Sequence, residues 1–381
     1  MRVVIAPDSY KGSLTSVEVA TALADGWREA RPDDEVLLAP LADGGEGTLV
    51  AIAAAGGWEW RDVTATDPIG RPIRARWLRA ADGSRAVVEL AEASGLSRLA
   101  ASERDPVGAS TRGTGEVLRA VLDAGIRVIT LGIGGSATTD GGAGILRALG
   151  ASIEDRAAAK GDRGTAEPVV DLTSLDRRLA EVDLRIACDV TNPLLGARGA
   201  AATYGPQKGA SGEQVIALDD ALGRYADALA AASGRDERDT PGAGAAGGTA
   251  FGLLSIADRF RSMKLVPGVG VVMEETGLRE KLAGADLVIT GEGRIDAQTA
   301  FGKTALGVAQ LASAAGVGCI CVGGGVEPEG EAVLATLGAI TVSVTEAPMS
   351  IEAAIAAGTA PVKRCGRRIA RLVSAGRTLT A

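Results

Sequence analysis

Near its start the chain runs twice through one local pattern: a short apolar run, a polar loop containing glycine, then a segment of helical periodicity. Val3–Ala6 leads into Pro7-Asp8-Ser9-Tyr10-Lys11-Gly12-Ser13, and the next segment opens on Thr15-x-x-Glu18, a capping box, with Val19, Leu23 and Trp27 on one stripe. Val36–Ala39 stops at Pro40; Leu41-Ala42-Asp43-Gly44-Gly45-Glu46-Gly47-Thr48 follows, then a helix from about Leu49 to Ala55 that closes at Gly56-Gly57. Strand, loop and helix in this order build a parallel α/β sheet, and ligands of such sheets gather at the strand ends. From residue 285 the rhythm returns. Asp286–Thr290 reads as a strand ending at Gly291-Glu292-Gly293-Arg294-Ile295-Asp296, and a helix follows at about 303–315. Val317–Val322 ends in Gly323-Gly324-Gly325, Ala339–Val344 is a further strand, and a last helix covers about 350–373.

The middle of the chain differs. Segments 58–66, 73–79 and 85–91 have strand character, and the turns between them are too short for helices, so they form an antiparallel meander. A helix from Gly113 to about Ala124 and a strand over 126–131 follow. Residues 151–183 are charged, with Lys160–Gly164 as a surface turn; Leu184–Cys188 is a strand ending in Asp189-Val190-Thr191-Asn192-Pro193-Leu194. An Ala-rich helix spans about 212–232, and Gly242–Thr249 is a glycine-rich loop before an apolar helix. The economical architecture is two α/β domains. Residues 1–62 and 285–381 form a doubly wound, Rossmann-like domain with a mostly parallel sheet. Residues 63–284 are an inserted domain with a mixed sheet, and the active site is expected in the cleft between the two.

The densest chemistry lies in Gly132-Ile133-Gly134-Gly135-Ser136-Ala137-Thr138-Thr139-Asp140-Gly141-Gly142-Ala143-Gly144, between the strand Val128–Leu131 and a helix over 143–149. Glycines let backbone come close to a ligand, hydroxyls add donors, and a helix start favours negative charge. That chemistry suits an anion, most plausibly a phosphate. The stretch is neither a Walker loop nor a dinucleotide fingerprint, since no Gly-Lys-Ser/Thr closes it.

Composition narrows the chemistry. Lys plus Arg number 40 and Asp plus Glu 48, so the net charge is −8, against a nucleic-acid partner. The chain contains no histidine, which excludes His-based triads, His-ligated zinc and a histidine general base; proton transfer falls to Asp, Glu, Lys or Tyr. The cysteines Cys188, Cys319, Cys321 and Cys365 form no Cys-x-x-Cys motif, no stretch is apolar for the length of a membrane span, and Met1–Asp8 reads as a strand rather than a signal peptide. A reduced cytoplasm fits this usage. Charged residues sit among glycines at five predicted strand ends: Asp8 and Lys11; Asp43 and Glu46; Asp140; Asp189 and Asn192; Glu292, Arg294 and Asp296. Each alone is as readily a turn residue, but so many of one kind point to a shared site.

These segments, in this order and together with Pro206-Gln207-Lys208-Gly209 and Pro241–Gly248, resemble the bacterial glycerate kinase family of the glycerate 2-kinase type nearly end to end. Tyr10 stands where phenylalanine is as frequent. The resemblance implies phosphoryl transfer from ATP to D-glycerate with Mg²⁺, 2-phosphoglycerate being the favoured product, in organic-acid or glyoxylate catabolism. Under it, Gly134, Gly135, Ser136, Thr138 and Thr139 would hold phosphate. Lys11 and Arg294 are the foremost cations, with Lys208 and Lys303 next, and Arg294 would clamp the glycerate carboxylate. Asn192 would contact substrate. Asp43, Glu46 and Glu292 would hold Mg²⁺ directly or through water. Asp189 is the preferred base, with Asp296 and Asp8 as alternatives. A homodimer is compatible with the sequence. The rival readings are a kinase for another small hydroxy acid and a catalytically silent metabolite sensor.

Overall fold

The computed structural model describes residues 1–155, 167–297, 299, 304–347 and 350–380. Lys303 and the turn expected at Lys160–Gly164 lie outside them. The chain divides into two compact units. The first comprises Met1–Asp43, Val50–Gly57 and Val269–Ala381; the second comprises Gly44–Leu49 and Trp58–Gly268.

The first unit holds a five-stranded, all-parallel sheet in the order Ile340–Ser343, Gly318–Val326, Leu287–Ile295, Arg2–Pro7, Glu35–Leu38. Val3 pairs with Leu287 and Ile5 with Ile289, so the two ends of the chain share one sheet. Val3 to Ala6 are fully buried, as expected of a central parallel strand covered on both faces. Helix Ser16–Ala30 starts on the capping box: the Glu18 amide donates to Thr15 Oγ1, and the Glu18 carboxylate accepts from the Thr15 amide. This helix packs on the C-terminal helix Ala360–Thr380 through glycines. A Cβ on Gly26 would lie 1.9 Å from the Lys363 carbonyl oxygen, and one on Gly366 would lie 2.4 Å from that of Leu23. Trp27, fully buried beside this crossing, donates its indole N–H to Asp34.

The second unit holds a six-stranded mixed sheet in the order Ser262–Val266, Asp183–Ala187, Val128–Gly132, Arg85–Glu89, Pro72–Ala80, Trp58–Thr66. Its first four strands are parallel and the last two antiparallel, the meander expected from the short turns. Ser152–Asp155 and Pro168–Asp171 add a small hairpin ladder. The short Gly44–Leu49 segment belongs here because its backbone is held here. The Gly134 amide donates to the Gly44 carbonyl at 3.2 Å, and the Glu89 carboxylate accepts from the amides of Gly47 and Leu49.

Some local expectations change. The strand expected to end at Gly291 continues to Ile295, and its partner runs through Gly323-Gly324-Gly325, so Glu292 and Arg294 are strand residues rather than loop residues. Glycine permits the extension: a Cβ on Gly291 would lie 2.1 Å from the Val322 carbonyl, and one on Gly324 would lie 2.5 Å from that of Gly293. The helix expected over 350–373 is two, Ile351–Ala356 and Ala360–Thr380, broken at Gly358 with φ of +57°. Strand Ser262–Val266 was not anticipated; its alternation, with Met263 and Leu265 against the core and Lys264 exposed, is the signal that could have shown it. No helix among the described residues is long and apolar enough to cross a membrane.

The glycine crossing sets a testable expectation. Gly26→Val forces two backbones apart and should destabilise the protein by about 1–3 kcal/mol, the usual cost of overpacking. Urea unfolding of variant and wild type measures it; coincident curves would show that the crossing has room to spare.

Candidate functional site

In the second unit, strand Val128–Gly132 delivers the glycine loop. Gly135 is exposed with φ of +75°, and the nearest side chains to a Cβ placed on it would be Ala91 at 3.5 Å and Glu46 at 3.8 Å. Glu46 therefore stands beside the loop. Ser136, Thr138 and Thr139 are buried, and the hydroxyls of Thr138 and Thr139 have no hydrogen-bond partner. Buried hydroxyls without partners are uncommon and invite a ligand oxygen.

The helix start behaves differently from the expectation. Helix Ala143–Ala148 is short, and its N-terminal amides are taken by the protein's own carboxylate. Asp140 accepts from the amides of Gly142 and Gly144, from the amide and hydroxyl of Thr111 at 2.8 and 2.9 Å, and from Ser110 Oγ. The anion at this helix start is thus Asp140, and its role is to fix the loop. Other amides are used internally too: Ala137 donates to the Ser94 carbonyl and Gly141 to that of Gly247.

The second glycine-rich loop is the seat of the first. A Cβ on Gly247 would lie 1.9 Å from the Thr138 carbonyl, and one on Gly248 would lie 2.9 Å from Gly141 Cα. Beneath the loop lies Lys208, 2% exposed, on the 3₁₀ turn Pro206–Lys208. Its Nζ donates to Ser136 Oγ at 2.9 Å and to the Thr138 carbonyl at 2.5 Å. Burial pulls its pKa down to about 7, with Asp140 acting in the opposite direction.

Asp189 is exposed just beyond strand Asp183–Ala187, and its Oδ1 accepts from the Gly268 amide at 2.8 Å. Asn192 is nearby in sequence, but its amide is used within the protein: Nδ2 donates to the Arg198 carbonyl and Thr203 Oγ1, and Oδ1 accepts from Tyr204.

In the first unit the carboxylates stand at the carboxyl end of the parallel sheet. Asp8 accepts from Ser9 N at 2.6 Å and from Thr304 Oγ1 at 2.5 Å, at the start of helix Thr304–Ala315. Burial raises its pKa, and the charge of Asp43 adds to the rise, so these two carboxylates feel one another. Glu292 is buried and accepts from Thr299 Oγ1 at 3.0 Å. Arg294 is exposed, but its guanidinium is held by Glu327, with Asp296 at 3.7 Å; a substrate carboxylate would have to replace Glu327. Lys11 is exposed on its loop.

Among the described residues no three of His, Cys, Asp and Glu come together as a metal cage. Mg²⁺ seldom uses one: it keeps waters and binds through one or two carboxylates plus substrate phosphates. The mutual repulsion of Asp8 and Asp43, with all-oxygen donors, fits a cation of that kind.

The comparisons agree with this chemistry. The model of the glycerate kinase family matches residues 3–374. The chain is 44% identical to a glycerate 2-kinase of Escherichia coli (strain K12) over 319 residues, 82% of each chain. It is 39% identical to a glycerate kinase of Bacillus subtilis (strain 168) over 383 residues, 100% of this chain and 99% of that one. A crystal structure of a provisionally named glycerate kinase 2 from Salmonella typhimurium LT2 superposes with a TM-score of 0.83 at 42% identity, covering 99% of both chains. The family match and the named relatives make the chain a kinase, on a fold of two α/β units. It belongs to the glycerate kinase family.

Sequence reasoning ranked Lys208 behind Lys11 and Arg294, and it passed over Glu89. Glu89 closes strand Arg85–Glu89 inside the apolar run Val87-Val88-Glu89-Leu90, which is the signal that could have marked it as buried. It is 5% exposed, and burial pushes its carboxyl up to about 7, against the pull of the Leu49 and Gly47 amides. The folded protein thus holds a proton there that the unfolded chain, ionising near the usual 4.5, has released. The stabilisation from protonated Glu89 is full below the unfolded value and is lost as pH rises through about 7. Relative to Glu89→Gln, the wild type should lose up to about 3 kcal/mol between pH 5 and 8. Urea titrations at both values measure the difference, and a pH-independent gap would show that Glu89 is ionised throughout.

Proposed function

We propose that this protein transfers the γ-phosphoryl group of ATP to a hydroxyl of D-glycerate, with Mg²⁺ as metal and 2-phosphoglycerate as product, in organic-acid or glyoxylate catabolism in the cytoplasm. The observation that carries the reading is the set of carboxylates at the carboxyl end of the parallel sheet, Asp8 with its raised pKa beside Asp43, in a chain with no histidine. Phosphoryl transfer asks a protein chiefly to position groups and neutralise charge, which needs no histidine. The E. coli relative's name, glycerate 2-kinase, supports the choice of hydroxyl. The four free cysteines support the compartment.

Roles follow from chemistry. The loop Gly134, Gly135, Ser136, Thr138 and Thr139 takes phosphate, with the two unpartnered threonine hydroxyls as its readiest donors. Asp43 and Glu292 are suited to Mg²⁺, and Glu46, beside Gly135, to a cation carried on the phosphate. Bound Mg²⁺ would offset charge on the phosphate oxygens. Lys11 supplies an exposed cation, and Arg294 takes the glycerate carboxylate by exchanging Glu327 for it. Asp189, held through one oxygen by Gly268, accepts the hydroxyl proton. Asp8 and Asp296 are its alternatives, and burial raises the pKa of Asp8, which makes its carboxylate a better proton acceptor than an ordinary one. Asn192 steadies the Asp189 loop through Tyr204 and Thr203.

A coupled ADP assay over small hydroxy acids, with phosphorus NMR of the product, tests the substrate. ADP release with D-glycerate and a 2-phosphate signal are expected; a preference for another acid would reassign the substrate, and binding without turnover would make the protein a sensor. Activity should vanish with EDTA and return with Mg²⁺ or Mn²⁺, and full activity in metal-free buffer would refute the metal. Asp189→Asn should lower kcat by about 10²–10⁴-fold with ATP affinity and Tm nearly unchanged. A loss under about tenfold would pass the role to Asp8 or Asp296.

A further inference from the structure

Lys208 is among the largest fully buried side chains of the protein, and it carries an ionisable amine. An ammonium is costly to bury unless hydrogen-bonded partners and nearby negative charge compensate it. Lys208 has Ser136 Oγ and the Thr138 carbonyl within hydrogen-bond distance, while Asp140 acts on it only through its field. A methionine would fill the same space without that cost, so packing alone does not account for the amine. An ammonium has three donors, and two meet the glycine loop. The loop above it carries two of the buried hydroxyls that lack partners, Thr138 Oγ1 and Thr139 Oγ1. The loop's helix start is already filled by Asp140, so positive charge for an incoming anion has to come from elsewhere.

We propose that Lys208 is the positioning residue of the glycine loop: by clamping Ser136 and the Thr138 carbonyl from below, it holds the loop in the form that receives the terminal phosphates of a nucleoside triphosphate and lends that site its positive charge. The proposal rests on the phosphate role assigned above to Gly134–Thr139. Lys208 acts through Ser136 and Thr138, not by touching the substrate. Its removal weakens the polyphosphate and leaves the hydroxy acid alone, a split that a space-filling lysine would not produce.

The experiment compares wild type, Lys208→Met and Gly135→Val by melting temperature, by calorimetric titration with ATP and with inorganic tripolyphosphate, and by steady-state kinetics. Lys208→Met should melt near the wild type. Its Kd and KM for ATP should rise on the order of tenfold or more, with tripolyphosphate weakened in parallel and the D-glycerate KM unchanged within about twofold. Should Lys208→Met fail to fold, Lys208→Gln, neutral and shorter so that it removes the charge and slackens the clamp, takes its place with the same expected split. Gly135→Val separates the two levels of the argument, because a branched side chain at φ of +75° disturbs the loop directly. If Gly135→Val weakens ATP and the Lys208 variant binds it as the wild type does, the clamp is refuted and the phosphate loop stands. If neither variant weakens ATP, the phosphate role falls and the clamp with it. A Lys208 variant that weakens ATP and D-glycerate equally also overturns the proposal.

Discussion

Backbone packed directly on backbone is the contact on which the second unit depends. The Gly141 amide donates to the Gly247 carbonyl at 3.0 Å, and a Cβ on Gly252 would lie 2.4 Å from the Gly141 carbonyl. Side chains at Gly247 or Gly248 would drive the two loops apart, and both residues need positive φ besides. What looks in the sequence like a run of glycines for a ligand is in large part a run of glycines for a neighbouring loop. The close seat puts Asp140 within reach of Thr111 and Ser110, and it places the Thr138 carbonyl over Lys208. The loop's geometry is therefore fixed from behind, and its exposed side at Gly135 is left for other work.

Burial gives this chain, which contains no histidine, two groups that titrate near neutrality. Burial moves one carboxyl, Glu89, up to about 7 and one amine, Lys208, down to about 7. Both shifts have the same cause, the cost of a charge in a poorly solvated place, and they bring groups of opposite kind to the range where histidine ordinarily titrates. Glu89 braces the Gly44–Leu49 segment through its amides, and Lys208 braces the glycine loop. Two groups able to change charge near neutrality thus stand behind loops that carry candidate functional residues, Glu46 on one and Ser136 on the other.

The architecture was legible because it is periodic. The Thr15–Glu18 capping box, the apolar strands and the short turns of the meander are local signals, and the structure realises each. The carboxylates Asp8 and Glu292 stand together because parallel strands bring their carboxyl ends to one edge, which topology alone foretells. The division of labour among the aspartates was not legible. Asp140 and Asp189 both follow a strand in a polar loop, yet the first accepts hydrogen bonds from Ser110, Thr111, Gly142 and Gly144, whereas the second is exposed and bound to Gly268. Those partners lie up to 79 residues away, beyond any local window. The burial of Lys208 was not legible for the same reason: Pro206-Gln207-Lys208-Gly209 has the composition of a surface turn, and its side chain reaches residues 70 positions earlier. Arg294 was expected to clamp a substrate carboxylate, and its pairing with Glu327, 33 residues on, was not visible in the sequence.

The filled helix start has a consequence for how a chain of net charge −8 can accept a polyanion at all. A phosphate at the start of Ala143–Ala148 would meet the Asp140 carboxylate at hydrogen-bond distance from the same amides, and like charges so close repel strongly when water is scarce. The helix dipole is therefore spent on the protein's own anion. Lys208 beneath the loop is one remaining source of positive potential, and a cation brought by a ligand would be another. Glu46 beside Gly135 would repel a bare phosphate and welcome one that arrives with a divalent ion. With an amine beneath the loop and a carboxylate beside it, such a site would disfavour a free phosphate and favour one that carries a divalent cation.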